Sequence, residues 1–362
     1  MYVPHNAIVT RPRWPPCFFQ VSESTPDHPK ARIPLSKTER FETPLPIELT
    51  DELMRFWAHI FGDVYDTPRE AYLGNEGSYN TNAIFVTRER GELAGTCQVT
   101  SALALPSLGG LSQVATAPKF RGLGIATNLC RIAAEEFRKG KGEALFLGTG
   151  NPNAARIYRR LGWQKLDGAN VMVKIISGDS PKSYLADYFK GFRQAVVAPA
   201  SPHDRIPIIP LLLAPHSWQV LDANAEIYST KYFTQRSCMG LYRRYNALTL
   251  SGRATIFSAR TSEGHVIGLS SAQIDDAGEC QIDGFAAEGH HDSWLPLIRA
   301  AIEWHETQSA SKLRVKLSFR DKEKRSLFQS LGFQVVSEDK DGFGIDDSTI
   351  HSLNMERLSV LD

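Results

Sequence analysis

Apolar positions change period repeatedly along this chain, and each change marks an element. Residues 40–43 read as a short strand, and Thr50 then reads as the cap of a helix over 51–61 with acidic residues in its first turn. Two runs, 83–87 and 94–99, flank the turn 89–92 and read as a hairpin, with a further strand over 111–116. After Gly124 the spacing becomes helical: Ile125, Leu129, Ile132, Ala133 and Phe137 share one face, and Gly140 and Gly142 close the helix. A continuous apolar run over 144–147 reads as a buried strand, and 152–161 as a helix opened by Pro152 and stopped by Gly162.

The stretch 177–194 reads as a linker, after which the pattern restarts. Residues 196–198 form a strand, and Ser201-Pro202-His203-Asp204 has the capping serine, first-position proline and third-position acid of a helix start. Runs 254–257 and 266–269 flank Glu263-Gly264-His265 as a second hairpin. A helix over 294–305, a strand over 313–317 and a helix over 322–331 stopped by Gly332 follow. Gly264 and Gly268 repeat Gly91 and Gly95 at an offset of 173. Phe328-Gln329-Ser330-Leu331-Gly332-Phe333 repeats Tyr158-Arg159-Arg160-Leu161-Gly162-Trp163 at an offset of 170. A near-constant offset over several elements in order predicts an internal duplication of a whole α/β domain. The expected organisation is a proline-rich arm over 1–39, one domain over 40–176, the linker, and a second domain over 195–362.

Composition narrows the class. An apolar fraction of 42% with 22% charged residues is that of a globular chain, and 362 residues suit two cores better than one. The formal net charge of +1 gives no general attraction to nucleic acid or to an anionic membrane, so neither is expected as a partner. No run of about 18 apolar residues predicts a membrane span. Pro4, Pro12, Pro15 and Pro16 occupy the region where a signal peptide needs an apolar block. Arg11-Pro12-Arg13-Trp14-Pro15-Pro16 suits either a polyproline ligand for a partner or, as we favour, an arm lying on its own domain. Cys17, Cys97, Cys130, Cys238 and Cys280 are scattered and lack C-x-x-C spacing, which reads as reduced thiols in a cytoplasmic protein. The oligomeric state is left open.

The chemistry concentrates in Val114-Ala115-Thr116-Ala117-Pro118-Lys119-Phe120-Arg121-Gly122-Leu123-Gly124-Ile125-Ala126. A glycine-rich turn opening a helix presents several backbone N–H groups to one point, where the helix dipole adds positive charge. Glycines admit a bulky anion, and Lys119 and Arg121 bring cations, so the loop suits a pyrophosphate. A dinucleotide-binding loop would place its first glycine directly after the strand and a third at Thr127, and this loop does neither. A helix start that binds nothing is the bland alternative, and a second segment counts against it. Asn151, Ala154 and Tyr158 are three and four apart, on one helix face, and Gly162-Trp163 follows.

Together these segments resemble the GNAT superfamily of acyl-CoA N-acyltransferases, as motifs over 94–174 and as a pattern of elements over 40–174. In that family a Gln/Arg-x-x-Gly-x-Gly/Ala loop grips the coenzyme's pyrophosphate. An Asn-x-x-Ala-x-x-x-Tyr-x-x-x-Gly-Phe segment holds its far end, and the tyrosine often protonates the leaving thiolate. The resemblance implies a coenzyme site of Val114, Thr116, Lys119, Arg121, Gly122, Leu123, Gly124, Ile125, Ala126, Asn151, Ala154 and Tyr158, with Tyr158 as the catalytic acid and no metal. It also implies transfer of an acyl group, acetyl by default, from acyl-CoA to a small-molecule amine by direct attack on the thioester, with backbone N–H near Val114 polarising the carbonyl. Two departures matter. Lys119 stands where the family has glutamine or arginine. Leu111-Ser112-Gln113 lacks the carboxylate that many members use as a base, so the amine arrives neutral or the base comes from elsewhere, such as the Asp63 to Glu76 region. The missing carboxylate also keeps a non-catalytic acyl-CoA sensor or scaffold open as the rival reading. In the second domain the counterpart loop runs from Ala286 to Trp294. Glu288 and Asp292 there repel a pyrophosphate, and Phe328 replaces the tyrosine, so this domain is expected to have lost the coenzyme. Glu288, His290, His291 and Asp292 are spaced as a solvated loop rather than a metal site.

Overall fold

The computed structural model describes residues 37–62, 67–176, 178, 180–192, 194–345 and 348–357. The proline-rich arm with Cys17 and the Arg11 to Pro16 motif lies outside them, as does Asp63.

The first half opens with β1 (Thr38–Glu42), α1 (Ile47–Phe61) and α2 (Arg69–Tyr72). Thr50 is not a cap. Pro46, with φ already at −57°, precedes the first turn, and the Thr50 hydroxyl, inside the helix, donates to the Pro46 carbonyl at 3.0 Å. β2 (Asn80–Glu89) and β3 (Glu92–Ala102) form the expected hairpin, turning through Arg90 and Gly91 at φ 51° and 81°. β4 (Leu105–Thr116), α3 (Ile125–Lys139), β5 (Ala144–Gly148), α4 (Pro152–Arg160), β6 (Gln164–Lys165) and β7 (Val171–Ile175) follow. They build one sheet in the order β1-β2-β3-β4-β5-β7-β6, antiparallel except for β4 and β5. The supposed linker is structured. Ser180 caps α5 (Pro181–Tyr188) by accepting from the Ser183 N–H at 3.1 Å, and Leu185 and Tyr188 are buried.

The second half contains β8 (Val196–Pro199), α6 (Ile208–Leu213), β9 (Val220–Asp222), β10 (Ile227–Tyr228), α7 (Gly240–Thr249), β11 (Ala254–Arg260), β12 (Val266–Ile274), β13 (Cys280–Ala286), α8 (His291–Glu306), β14 (Leu313–Ser318), α9 (Lys322–Ser330), β15 (Phe333–Ile345) and β16 (Ser348–Arg357). Its main sheet runs β8-β11-β12-β13-β14-β16-β15, again with one parallel pair, β13 with β14. Element for element this is the order of the first sheet, with α8 and α9 standing where α3 and α4 stand. Gly95 and Gly268 repeat the same packing, since a Cβ on either would come within 2.6 Å of a leucine or isoleucine of the covering helix. The expected helix start at Ser201 forms its capping box but stops after one tight turn, Pro202–Asp204. Pro207 and Pro210 lack N–H groups to carry that turn onward, and α6 begins separately at Ile208.

The two halves share a core. Leu108, Phe146, Val171 and Val173 from one face of the first sheet lie in a single buried cluster with Ile206, Leu211, Met239 and Leu241 of the second half. The other face of the first sheet packs against α3 and α4 in its own cluster. A third cluster, with Leu53, Trp57, Tyr72 and Ile84, seats α1 and α2.

Candidate active site

β4 and β5 pair only through Leu108–Ala144, Gly109–Leu145 and Gly110–Phe146. Beyond these, β4 runs on to Thr116 and β5 to Gly148 without bonding each other, so a wedge opens between them. At its edge β4 carries a bulge, with Gln113 and Val114 both opposite Cys97 and Gln113 held at φ 50°. α3 starts at the far end of this strand. Its N-cap, Gly124, offers no side chain, and Gly122 and Gly124 sit at φ 81° and 82° with open space where a Cβ would be. Among the described residues the N–H groups of Gly122, Leu123, Gly124, Ile125, Ala126 and Thr127 receive no acceptor. Orphan donors around a helix N-terminus form an anion site.

The flanking cations are placed differently. Lys119 is exposed, paired with Glu92 across from the β2–β3 turn, and stacked 5.1 Å over the Phe120 ring. Arg121 is exposed, its Nε 3.4 Å from the Thr116 carbonyl. The Thr116 hydroxyl is buried without a partner among the described residues, and Val114 and Leu123 pack at the margin of the α3 cluster.

Asn151, Ala154 and Tyr158 do share one face of α4. The Asn151 side-chain oxygen caps that helix, accepting from the Asn153 and Ala154 N–H groups at 2.9 and 3.4 Å. Tyr158 points into the cluster beneath the wedge, 6% exposed, its ring 6.0 Å from that of Trp163. Burial pushes its phenol well above the usual range, and the neighbouring Cys130 and Cys97 thiols push the same way. The hydroxyl therefore stays protonated at neutral pH, a donor with no hydrogen-bond partner among the described residues.

The opposite face of the wedge is lined by neutral polar groups that the sequence did not single out. Trp57 Nε1 donates to Thr96 Oγ1 at 2.9 Å, and that hydroxyl donates to the Gln113 carbonyl at 2.7 Å. Gln113 Nε2 lies 3.5 Å from the Tyr72 hydroxyl, which donates to Gln98 Oε1 at 2.8 Å. Gln98 Nε2 continues to Asn82 and Thr100, both at 2.9 Å. Glu76, at the end of the stretch considered for a base, is instead committed to Arg205 of the second half, 3.1 Å from its Nε, and to Asn80. The second half closes this side: Met239 and Ile206 fill the space over Gly110, and Ser237 sits over Gly148.

Residues 48–163 match the family described as Acetyltransferase (GNAT) family. This stretch is a GNAT acetyltransferase domain. Three solved structures are similar to part of the chain. The acetyltransferase of GNAT family from Streptococcus pneumoniae is 16% identical, with 46% of this chain and 100% of that chain covered and a TM-score of 0.35. Ribosomal-protein-S5-alanine acetyltransferase from Vibrio fischeri is 16% identical over 47% of this chain and 96% of that one, with a TM-score of 0.36. A GNAT superfamily phosphinothricin acetyltransferase from Sinorhizobium meliloti, in complex with AcCoA, is 15% identical over 46% and 88%, with a TM-score of 0.37. No curated protein matches the chain.

Beside the GNAT domain, the matching groove of the second half is filled by its own chain. β13 and β14 pair only through Cys280–Leu313 and Gln281–Arg314 before diverging. Into this gap runs the segment 217–225. Asp321, at the position equivalent to Asn151, accepts the Gln219 and Val220 N–H groups at 2.7 and 3.1 Å. Lys324, equivalent to Ala154, is fully buried and donates to the Val220 and Leu221 carbonyls and to Asp283 at 3.0, 2.8 and 2.6 Å. Ser217 bonds Glu288 and Ala223 bonds Asp283, both at 2.8 Å. Among the described residues no group of three or more His, Cys, Asp or Glu side chains is arranged to hold a metal, and no helix is long and apolar enough to cross a membrane.

Proposed function

We propose that this protein is an acyl-CoA-dependent N-acyltransferase. It takes acetyl as its ordinary acyl group and a small-molecule amine as acceptor, and binds one coenzyme per chain in the unit 40–176. The observation that carries this reading is the join of an open wedge between parallel strands to six unpartnered N–H groups at the start of α3. Such a site suits a ligand with a pyrophosphate at one end and a narrow arm at the other. The N–H groups from Gly122 to Ala126 take the phosphates, and Val114 and Thr116 line the arm. Arg121 adds charge, as does Lys119 on exchanging Glu92 for phosphate. Asn151 and Ala154 border the coenzyme along α4, and Tyr158 protonates the departing thiolate. The amine attacks the carbonyl carbon, the C–N bond forms as the C–S bond breaks, and the wedge supplies proximity and polarisation.

We read the unit 195–362 as a degenerate GNAT-like domain. The common strand order supports this, and its groove, occupied by 217–225, supports its having no coenzyme. Its contribution is the shared core and the wall over Gly110 and Gly148. The test is thiol release from acetyl-CoA by the full chain with pooled small amines. Amine-dependent release is expected. Coenzyme binding with no release across the pool would replace the transferase by a sensor.

A further inference from the structure

We infer that Gln113 orients the acceptor, and that this acceptor is a weakly basic amine entering the wedge in its neutral form. The inference rests on the transferase reading above. Gln113 sits in the bulge where β4 has parted from β5, in a left-handed backbone conformation at φ 50° inside a strand. Such strain persists only where the surroundings hold it, and here they do. Its carbonyl is tied to Thr96 at 2.7 Å and its amide nitrogen is turned to Tyr72 at 3.5 Å. That leaves the carboxamide oxygen as the atom with no partner among the described residues. Ser112 stands opposite Gln98 in the sheet, and its hydroxyl is buried with no partner among the described residues. The edge of the wedge thus carries the neutral oxygen of Gln113, with the buried Ser112 hydroxyl beside it.

Behind them, Tyr72, Gln98, Asn82 and Thr100 extend the chain through amides and hydroxyls. Among the described residues, the groups around it that titrate or carry charge are the Tyr72 hydroxyl and the Arg69–Asp51 pair from the α1 and α2 side, the Glu76–Arg205 pair, and the buried Cys238 next to Ser237. Trp57 of α1 donates to Thr96 beside it. Neutral oxygens accept the N–H of an amine and direct its lone pair, but they do not take the proton of an ammonium ion. The nitrogen therefore attacks already deprotonated. The C–N bond forms, the C–S bond breaks, Tyr158 protonates the sulfur, and the surplus proton on nitrogen leaves to water, which restores Tyr158.

The experiment measures thiol release from acetyl-CoA by the full chain at pH 7 with two acceptors of matched size, an α-amino amide and an alkylamine. With pKa values of about 8 and 10.4, their neutral fractions differ roughly 200-fold, and kcat/KM should follow. Gln113→Gly suits the left-handed backbone and removes only the side chain. It should lower kcat/KM for the amide at least ~10-fold through KM for the amine, with acetyl-CoA affinity within about twofold. Gln113→Glu should narrow the gap between the amines to below about 20-fold by supplying a base. Equal kcat/KM for the two amines in the unaltered protein, or an unchanged amine KM in Gln113→Gly, overturns this inference and leaves the transferase standing. Coenzyme binding without release for any amine overturns both.

Discussion

Gly168→Ala tests whether the two halves are held together as tightly as their common core implies. Gly168 lies in the turn between β6 and β7 at φ 68°. A Cβ added there would overlap the Thr230 carbonyl oxygen and come within 2.8 Å of its carbon. Thr230 belongs to the second half and the contact is main chain, so no flexible side chain can swing away. Two backbone bonds brace the same spot, Gln235 N–H to the Gly168 carbonyl at 2.9 Å and Asn170 N–H to the Gln235 carbonyl at 2.7 Å. The alanine carries a left-handed cost of about 1–2 kcal/mol. Parting the two backbones adds about 1–3 kcal/mol, and weakening a bracing bond about 1 kcal/mol. We expect a loss of about 3–6 kcal/mol in denaturant unfolding of the full chain. Gly91→Ala is the control, because Gly91 has φ 81° but nothing within 4 Å of its missing Cβ. It should lose only the conformational part, about 1–2 kcal/mol. Equal losses for the two variants would refute the claim that the segment around Thr230 is pressed against the first half.

Gly124→Val places a branched side chain in the left-handed region and in the open space before α3. It should weaken acetyl-CoA binding at least ~10-fold, about 1.4 kcal/mol, and calorimetry giving unchanged affinity in a folded variant sinks the loop assignment. Tyr158→Phe should lower kcat by about 10²–10⁴ with little change in coenzyme affinity. Since the hydroxyl has no bond to lose, stability should move by less than about 1 kcal/mol, and a kcat within about twofold with chemistry rate-limiting rules out Tyr158 as the acid. Titration should give one equivalent of acetyl-CoA per chain, and two equivalents would mean that the second groove can be vacated. Burial pushes the Asp283 carboxyl up to about 7, against the pull of Lys324. A raised carboxyl holds its proton more tightly in the folded state, so its contribution is present at low pH and is lost as pH rises from about 4 through 7. Between pH 6 and 8 this group should remove about 1 kcal/mol, and Asp283→Asn should flatten that part of the stability profile; parallel profiles would contradict it.

Much of the fold is legible in local pattern. The helical face from Ile125 to Phe137, the hairpin around Gly91 and the stops at Gly162 and Gly332 are decided within a few residues, and the structure places them as expected. The common strand order of the two halves is legible as a near-constant offset of 170–173 residues. What escapes the sequence is whatever depends on a partner far along the chain. The apolar face of Phe146 and Val171 looks like any domain core, and only the fold reveals that the second half completes it. Nothing local to Lys119 shows that the hairpin brings Glu92 against it. Gln113 is an ordinary strand residue until the bulge turns it toward Tyr72. α5 hides in a stretch whose serines and glycines read as a linker, although Ser180-Pro181 is itself a capping signal. The filled second groove also leaves a trace in the sequence: the offset of 170 sets Asp321 against Asn151 and Lys324 against Ala154.

That pair of residues shows how the second half fills its groove with its own chain. Strands that part leave backbone groups and a crevice that must be met by something, because unpaired buried polar groups are costly. In the first half the crevice stays open and its donors line the start of α3. In the second, a lysine long enough to cross the crevice stands at the position of Ala154, and an aspartate at that of Asn151. Together they accept and donate to the main chain of β9. Lys324 is fully buried, which is tolerable only because three oxygens surround its ammonium. Removing β9 would strand that charge, and removing Lys324 would strand Asp283 and two carbonyls. The strand and the ionic cluster therefore depend on each other. With its groove closed by its own chain, the second half supplies a packed face, and that face covers β4 and β5 at Gly110 and Gly148.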